Sequence, residues 1–145
     1  MKLDEIFSQW KEDCKIDLTE LAVESVKTFE LHSKYLNLWT YEKIALNKRE
    51  SEYKILFRLK FQYYAGTISD EDLKKMGWEP NPLRIIRQDI QMHMESDEQL
   101  IASKALWKQQ EEKVTALEHI IKSINNRSFH INNAIADRKF KHGEN

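Results

Sequence analysis

The stretch Tyr53-Lys54-Ile55-Leu56-Phe57-Arg58-Leu59-Lys60-Phe61-Gln62-Tyr63-Tyr64-Ala65-Gly66 decides the fold. From Phe57 to Gln62, apolar and polar residues alternate strictly, the two-residue period of a strand. A strand needs a partner, and no second candidate occurs in the sequence, so the segment is assigned to a helix. With it the whole chain becomes all-α. The same stretch is chemically distinctive. It carries Lys54, Arg58 and Lys60 and no acid, interleaved with five aromatic rings. Cations neutralise phosphates and flat apolar rings accept unstacked bases, each stack contributing roughly 1–3 kcal/mol, so the pattern suits a single-stranded nucleic acid. The plainer alternative is a packed helix with a solvated basic face. On a helix Lys54 and Arg58 share one side, whereas Lys60 lies on nearly the opposite side. The three cations therefore form one patch only if the helix bends or DNA wraps it. Gly66 ends the run, as a residue that tolerates positive φ at a helix terminus.

Working outward, Leu18 to Tyr64 contains no Gly and no Pro. Leu21, Val26, Phe29, Leu36, Trp39, Ile44 and Leu56 recur at helical spacing. An unbroken helix there spans about 70 Å and needs a partner along much of its length. Before it, residues 3–14 form a short amphipathic helix with Leu3, Ile6, Phe7 and Trp10 on one side. Asp17 with Glu20 reads as the capping box of the long helix. After it, Ser69 caps a short helix over Asp70–Met76, Gly77 ends it, and Trp78-Glu79-Pro80-Asn81-Pro82 is a turn. Residues 83–94 are expected to be a third helix. Leu83, Ile86, Ile90 and His93 or Met94 face inward, and the exposed Arg84 and Arg87 could extend a phosphate track. Ser96 with Gln99 opens a last helix, about 97–140. Its seam at alternating steps of three and four includes Trp107, Val114, Leu117, Ile121, Ile124, Ile131 and Ile135, as in a coiled coil or helical ring. A hairpin against the helix at 18–64 is the rival use of that seam.

Composition agrees with long helices. The 145 residues include three Gly, two Pro and 32% charged residues, and the mean hydropathy is −0.70. That length fits one modest domain. Its organisation reads as residues 1–95 for DNA binding and 96–145 for oligomerisation. Charge alternates along the chain. Basic and acidic residues number four and eight over 1–31, seven and three over 32–67, seven and eleven over 68–118, and five and two over 119–145. Two basic zones can meet one polyanion. No apolar run approaches the roughly 20 residues of a membrane span. The lone Cys14 reads as a small buried side chain in a reducing compartment. Sequence patterns for a nucleotide loop, a nucleophile elbow, a metal site or a paired acid and base are missing, which points away from an enzyme and from any cofactor.

Five pieces carry a family resemblance. They are Ile16-Asp17-x-Thr19-x-Leu21, Ser33-Lys34-Tyr35-Leu36-Asn37, the step Arg58-Leu59-Lys60 followed by Tyr63-Tyr64-Ala65-Gly66, Ile121-Lys122-Ser123, and Ile135-Ala136-Asp137-Arg138-Lys139-Phe140. In these the sequence resembles the UvsY family of recombination mediators of T-even-like bacteriophages, best over residues 10–66 and 119–142. The resemblance implies an all-α protein with long antiparallel helices, a short helical connection and a C-terminal helix that assembles a ring-like homo-oligomer of about six or seven subunits. It implies binding of single-stranded DNA in the cytoplasm of the infected bacterial host. It also implies partnership with the phage single-stranded-DNA-binding protein and with a UvsX-like recombinase loaded onto the DNA. The family's DNA-binding Lys-x-Arg step falls on Arg58 and Lys60 with the order inverted, so a planar fork and a point charge exchange places. The family's acid before the paired tyrosines is Gln62 here. Arg49, Lys54, Arg58, Lys60, Tyr63 and Tyr64 are the candidate DNA contacts. A structural scaffold that binds no nucleic acid is the alternative.

Overall fold

The computed structural model describes residues 1–143. Its elements are α1 (Leu3–Asp13), α2 (Leu21–Ala65), α3 (Asp70–Met76), a single 3-10 turn at Arg87–Asp89, α4 (Ile90–Glu95) and α5 (Glu98–Lys141). No strand occurs among the described residues, and the 57–62 alternation is helical throughout. The chain divides into two compact units, residues 1–43 with 112–145 and residues 44–111. A boundary at residue 95 therefore falls inside the second unit, and each long helix contributes a segment to both.

In the first unit α1 packs with the start of α2 and the C-terminal part of α5. Ile6, Leu31, Tyr35, Leu117, Ile120 and Ile124 form its core, with Trp10 and Trp39 against it. Burying a side chain such as Ile6 contributes about 1.5–3 kcal/mol. Trp10 meets Tyr35 edge-on at 5.5 Å. The Tyr35 hydroxyl donates to Asp13 at 2.8 Å, and Lys34 reaches the same oxygen at 2.6 Å. Burial, then this hydrogen bond, pushes the Tyr35 hydroxyl above the ordinary phenol range. A second polar tie is deeper. Arg127 pairs with Glu24, and its Nε donates to Thr28 Oγ1 at 3.1 Å. Both Glu24 and Arg127 are buried, and Arg127 Nη1 finds no hydrogen-bond partner among the described residues.

In the second unit Ile90, Met94 and Leu100 make the core, joined by Tyr53, Leu56, Tyr64 and Ile85. Gly66 closes α2 at φ 76, and the Thr67 amide reaches back to the Gln62 carbonyl at 2.9 Å. Gly77 closes α3 in the same way, at φ 68, with the Trp78 amide on Leu73. Ser69 caps α3 by accepting from the Asp72 amide at 3.1 Å.

Four expectations are corrected. Residues 83–86 are not helical, so Leu83 and Ile86 are exposed, while Ile85, Ile90, His93 and Met94 turn inward. Pro80 and Pro82 keep the residues before them, Glu79 and Asn81, out of the helical region, and Ile86 is still extended at φ −70 and ψ 149, so helical turns begin only at Arg87. Asp17 caps no helix. It binds the Thr19 amide and hydroxyl in a local turn, and α2 starts only at Leu21. Asp97, not Ser96, caps α5, accepting from the Leu100 amide at 3.0 Å. Ser96 instead bonds back to the Met92 carbonyl. Cys14 is exposed.

The apolar positions of α2 also divide differently from the sequence reading. Leu21, Leu31, Tyr35, Leu46 and Leu59 are buried, while Val26, Phe29, Leu36 and Ile44 are exposed. One helix thus carries buried apolar positions and a second set that stays exposed among the described residues.

Candidate nucleic-acid interface

On the C-terminal part of α2, Lys54, Phe57, Arg58 and Phe61 fall within about 100° of helical arc, at about 100° per residue. All four are exposed. Lys54 pairs with Glu50 at 3.0 Å, and Arg49 reaches Glu52 at 3.5 Å. Such exposed one-turn pairs contribute at most about 0.5 kcal/mol, so a phosphate displaces the acid at little cost. Arg58 has no acidic partner among the described residues.

Lys60 points the other way. It is 7% exposed, its Nζ sits 3.0 Å from Asp97, and it lies 4.2 Å from the centre of the Trp78 ring. Helical geometry requires this, because two residues along a helix turn a side chain by about 200°. Lys60 is therefore not a solvent-facing cation, and Arg58 and Lys60 do not form a double contact on one surface. The two tyrosines are engaged as well. The Tyr63 hydroxyl donates to the Glu79 carbonyl at 2.9 Å, and its ring meets Trp78 at 5.5 Å. The Tyr64 hydroxyl donates to Asp97 at 2.5 Å, and its ring stacks on His93 at 5.6 Å. Burial pushes the Tyr64 hydroxyl well above the phenol range, helped by Asp97. Burial would raise the Asp97 carboxyl too. The Tyr64 hydroxyl, the Leu100 amide and Lys60 together outweigh that and hold it below the ordinary carboxylate range.

Beside the exposed α2 face runs a groove of about 650 Å³. Tyr53, Phe57 and Phe61 form one wall, and Ile90, Met94 and Leu100 another. Arg87, Lys104 and Glu95 line it too. Tyr53 is backed by Trp107 at 5.3 Å. The sequence names Phe57 and Phe61 among the rings and Arg87 as a track residue. Lys104 carries no signal of its own, since only the packing of α4 and α5 brings it to the rings.

The residues expected to join copies of the chain are largely used inside it. Val114, Leu117, Ile124 and Ile131 are buried, and Ile121, Ile135 and Trp107 are half-buried. The intramolecular use of the seam prevails in the single chain. Exposed apolar side chains of the first unit sit instead at Val26, Phe29 and Leu36 on α2 and at Phe129 and Phe140 on α5. No cluster of metal-ligating side chains occurs among the described residues. Among the described residues no helix is long and apolar enough to cross a membrane.

Comparison with known proteins converges on one family. The family described as "Recombination, repair and ssDNA binding protein UvsY" matches residues 9–144. The recombination protein uvsY of Enterobacteria phage T4 is 24% identical over 86 residues, which is 59% of this chain and 63% of that protein. Crystal structures of the bacteriophage T4 recombination mediator protein UvsY share the fold. The type II lattice form gives a TM-score of 0.85 at 20% identity, covering 98% of each chain. The type IV form gives 0.83 at 21% identity, covering 97% of this chain and 99% of that one. A match over nearly the whole length, on a chain whose all-helical architecture agrees, places it: this protein belongs to the UvsY family of recombination, repair and single-stranded-DNA-binding proteins.

Proposed function

We propose that the protein is a non-catalytic recombination mediator. It binds single-stranded DNA as a homo-oligomer and helps load a UvsX-like phage recombinase onto DNA covered by the phage single-stranded-DNA-binding protein. It would act in the cytoplasm of the infected host. The observation that carries this reading is the exposed α2 face, where Lys54 and Arg58 alternate with Phe57 and Phe61. Arg49 lies further along the same helix. Lys60, Tyr63 and Tyr64 support the site from behind, since their polar groups are already committed to Asp97 and Glu79.

One subunit offers few cations, and binding by so few is weak and salt-sensitive. A ring of about six or seven copies repeats the patch and gains avidity through effective concentration. With the α5 seam covered, the apolar line Val26, Phe29 and Leu36, together with Phe129 and Phe140, is the surface offered to neighbouring copies. Ile121, Ile135 and Trp107, only half-buried, can add to it.

The test is fluorescence anisotropy with labelled single-stranded and duplex oligonucleotides across a salt series, with light scattering on the same samples. The expected result is preferential single-strand binding that weakens steeply with salt. Arg58→Ala should weaken it further without dissociating the oligomer. An intact oligomer that binds neither form of DNA at low salt would leave a structural scaffold as the better account.

A further inference from the structure

We infer that the groove between α2, α4 and the start of α5 is a nucleobase subsite. It accepts unstacked bases of single-stranded DNA against Phe57 and Phe61, while Arg58, Arg87 and Lys104 hold the flanking phosphates. This rests on the single-strand-binding reading above and assigns its base contacts to residues other than Tyr63 and Tyr64.

Three observations point here. The first is exposed ring surface. Phe57 is 45% and Phe61 48% exposed, a large apolar area for two neighbouring rings that water must cover in the free protein. Tyr63 and Tyr64, by contrast, are packed against Trp78, His93 and each other. The second is size. The groove volume falls within the roughly 300–1,000 Å³ of small-ligand clefts, which suits one or two bases. The third is charge. Arg58, Arg87 and Lys104 are exposed and pair with no acid among the described residues. The one acid of the groove, Glu95, accepts from Gln91 Nε2 at 2.9 Å. An apolar slot lined by two unpaired cations, Arg87 and Lys104, with Arg58 next to Phe57 on the adjoining α2 face, complements an aromatic ring carried on a phosphate backbone. A duplex keeps its bases stacked and cannot fill the slot without unstacking them, so the site favours single strands.

Three readouts on the full-length protein test this. First, Phe57→Leu/Phe61→Leu keeps apolar volume but removes both rings. It should weaken binding of a thymine-rich oligonucleotide by about tenfold or more. The salt slope should not change, and the defect should vanish on an oligonucleotide of abasic sites. Second, Arg87→Gln/Lys104→Gln should lower the slope of log affinity against log salt by about 1.4, two single-strand phosphate contacts. Third, an oligonucleotide carrying 5-iodouracil, irradiated on the wild type, should attach to Tyr53, Phe57 or Phe61. Wild-type affinity and slope in both variants, with attachment confined to Tyr63 or Tyr64, would overturn the subsite while leaving single-strand binding intact. Dissociation of the oligomer by the groove variants, without DNA present, would overturn it in favour of a contact between copies. A wild type that binds no single strand would remove the functional reading as well.

Discussion

Lys60→Met separates a strut from a DNA contact. The substitution keeps an apolar side chain of similar length and removes the ammonium that sits over the Trp78 ring. Asp97 then remains a carboxylate whose side chain is 5% exposed, with its cationic partner gone. Breaking a buried ion pair from one side costs about 3–5 kcal/mol. The Tyr64 hydroxyl and the Leu100 amide still bond to Asp97, so the lower figure applies. At this chain length ~3 kcal/mol corresponds to a fall in Tm on the order of 10 °C. Lys60→Met/Asp97→Asn retains an amide oxygen to cap α5 and no longer buries a lone charge, so it should recover about half of that loss. Arg58→Ala is the opposite case. It should change stability by no more than about 0.5 kcal/mol and lower the salt slope of single-strand binding by about 0.7. Differential scanning calorimetry and anisotropy across a salt series measure both quantities for each variant. If Lys60→Met melts like the wild type and loses one phosphate's share of the salt slope, Lys60 contacts DNA directly and the strut argument is wrong.

Arg127→Met should destabilise by about 3–5 kcal/mol, because it strands the buried Glu24, whereas Glu24→Leu/Arg127→Met should come close to wild-type stability in urea unfolding. Acid should act through Asp13 and Asp97, both held below the ordinary carboxylate range. A depressed carboxylate contributes stability above its unfolded pKa of about 3.9 and loses that contribution as pH falls through its lower folded value. Stability should therefore be level from neutral pH to about 5 and drop below about 4. Asp13→Asn and Asp97→Asn should each start less stable at neutral pH and fall less steeply in acid, as followed by circular dichroism. Val26→Ser/Phe29→Ser, on the exposed apolar line of α2, should leave helix content unchanged and lower the mass seen by light scattering; an unchanged mass would place the assembly surface elsewhere.

The helical framework was legible in the sequence where local chemistry alone decides it. Forty-odd residues without Gly or Pro, Gly66, Ser69 and Gly77 act within one turn of the chain, and each behaves as read. The beginnings of helices were less legible where two capping residues compete. Ser96 and Asp97 stand side by side, and Asp97 takes the cap because it also meets Tyr64, 33 positions away. Leu83 and Ile86 carry helical spacing, but spacing cannot report that the chain stays out of a helix until Arg87. The site divides along the same line. That Arg58 and Lys60 oppose each other follows from helix geometry. Which of the two is buried depends on Asp97 and Trp78, which only the folded connection brings near. The heptad line of α5 announced a covered stripe correctly, but an apolar pattern is the same whether a sister helix of the same chain or of another copy covers it.

Asp97 is at once the first anchor of α5 and the counterion that holds it to α2. In the second unit these roles help fix the start of one helix against the end of the other. The segment from Thr67 to Ser96 is tied down at Trp78, at the Glu79 carbonyl that holds Tyr63, and at Ile85 and the α4 residues of the core, and its length can vary only between those points. A chain opened at the exposed Leu83-Arg84 bend, with new ends there, should still find the same pairing. Insertions at that bend should be absorbed as slack rather than transmitted to the rings on α2. The clamp would make this connection the place where relatives can differ most in length while presenting the same surface to a strand.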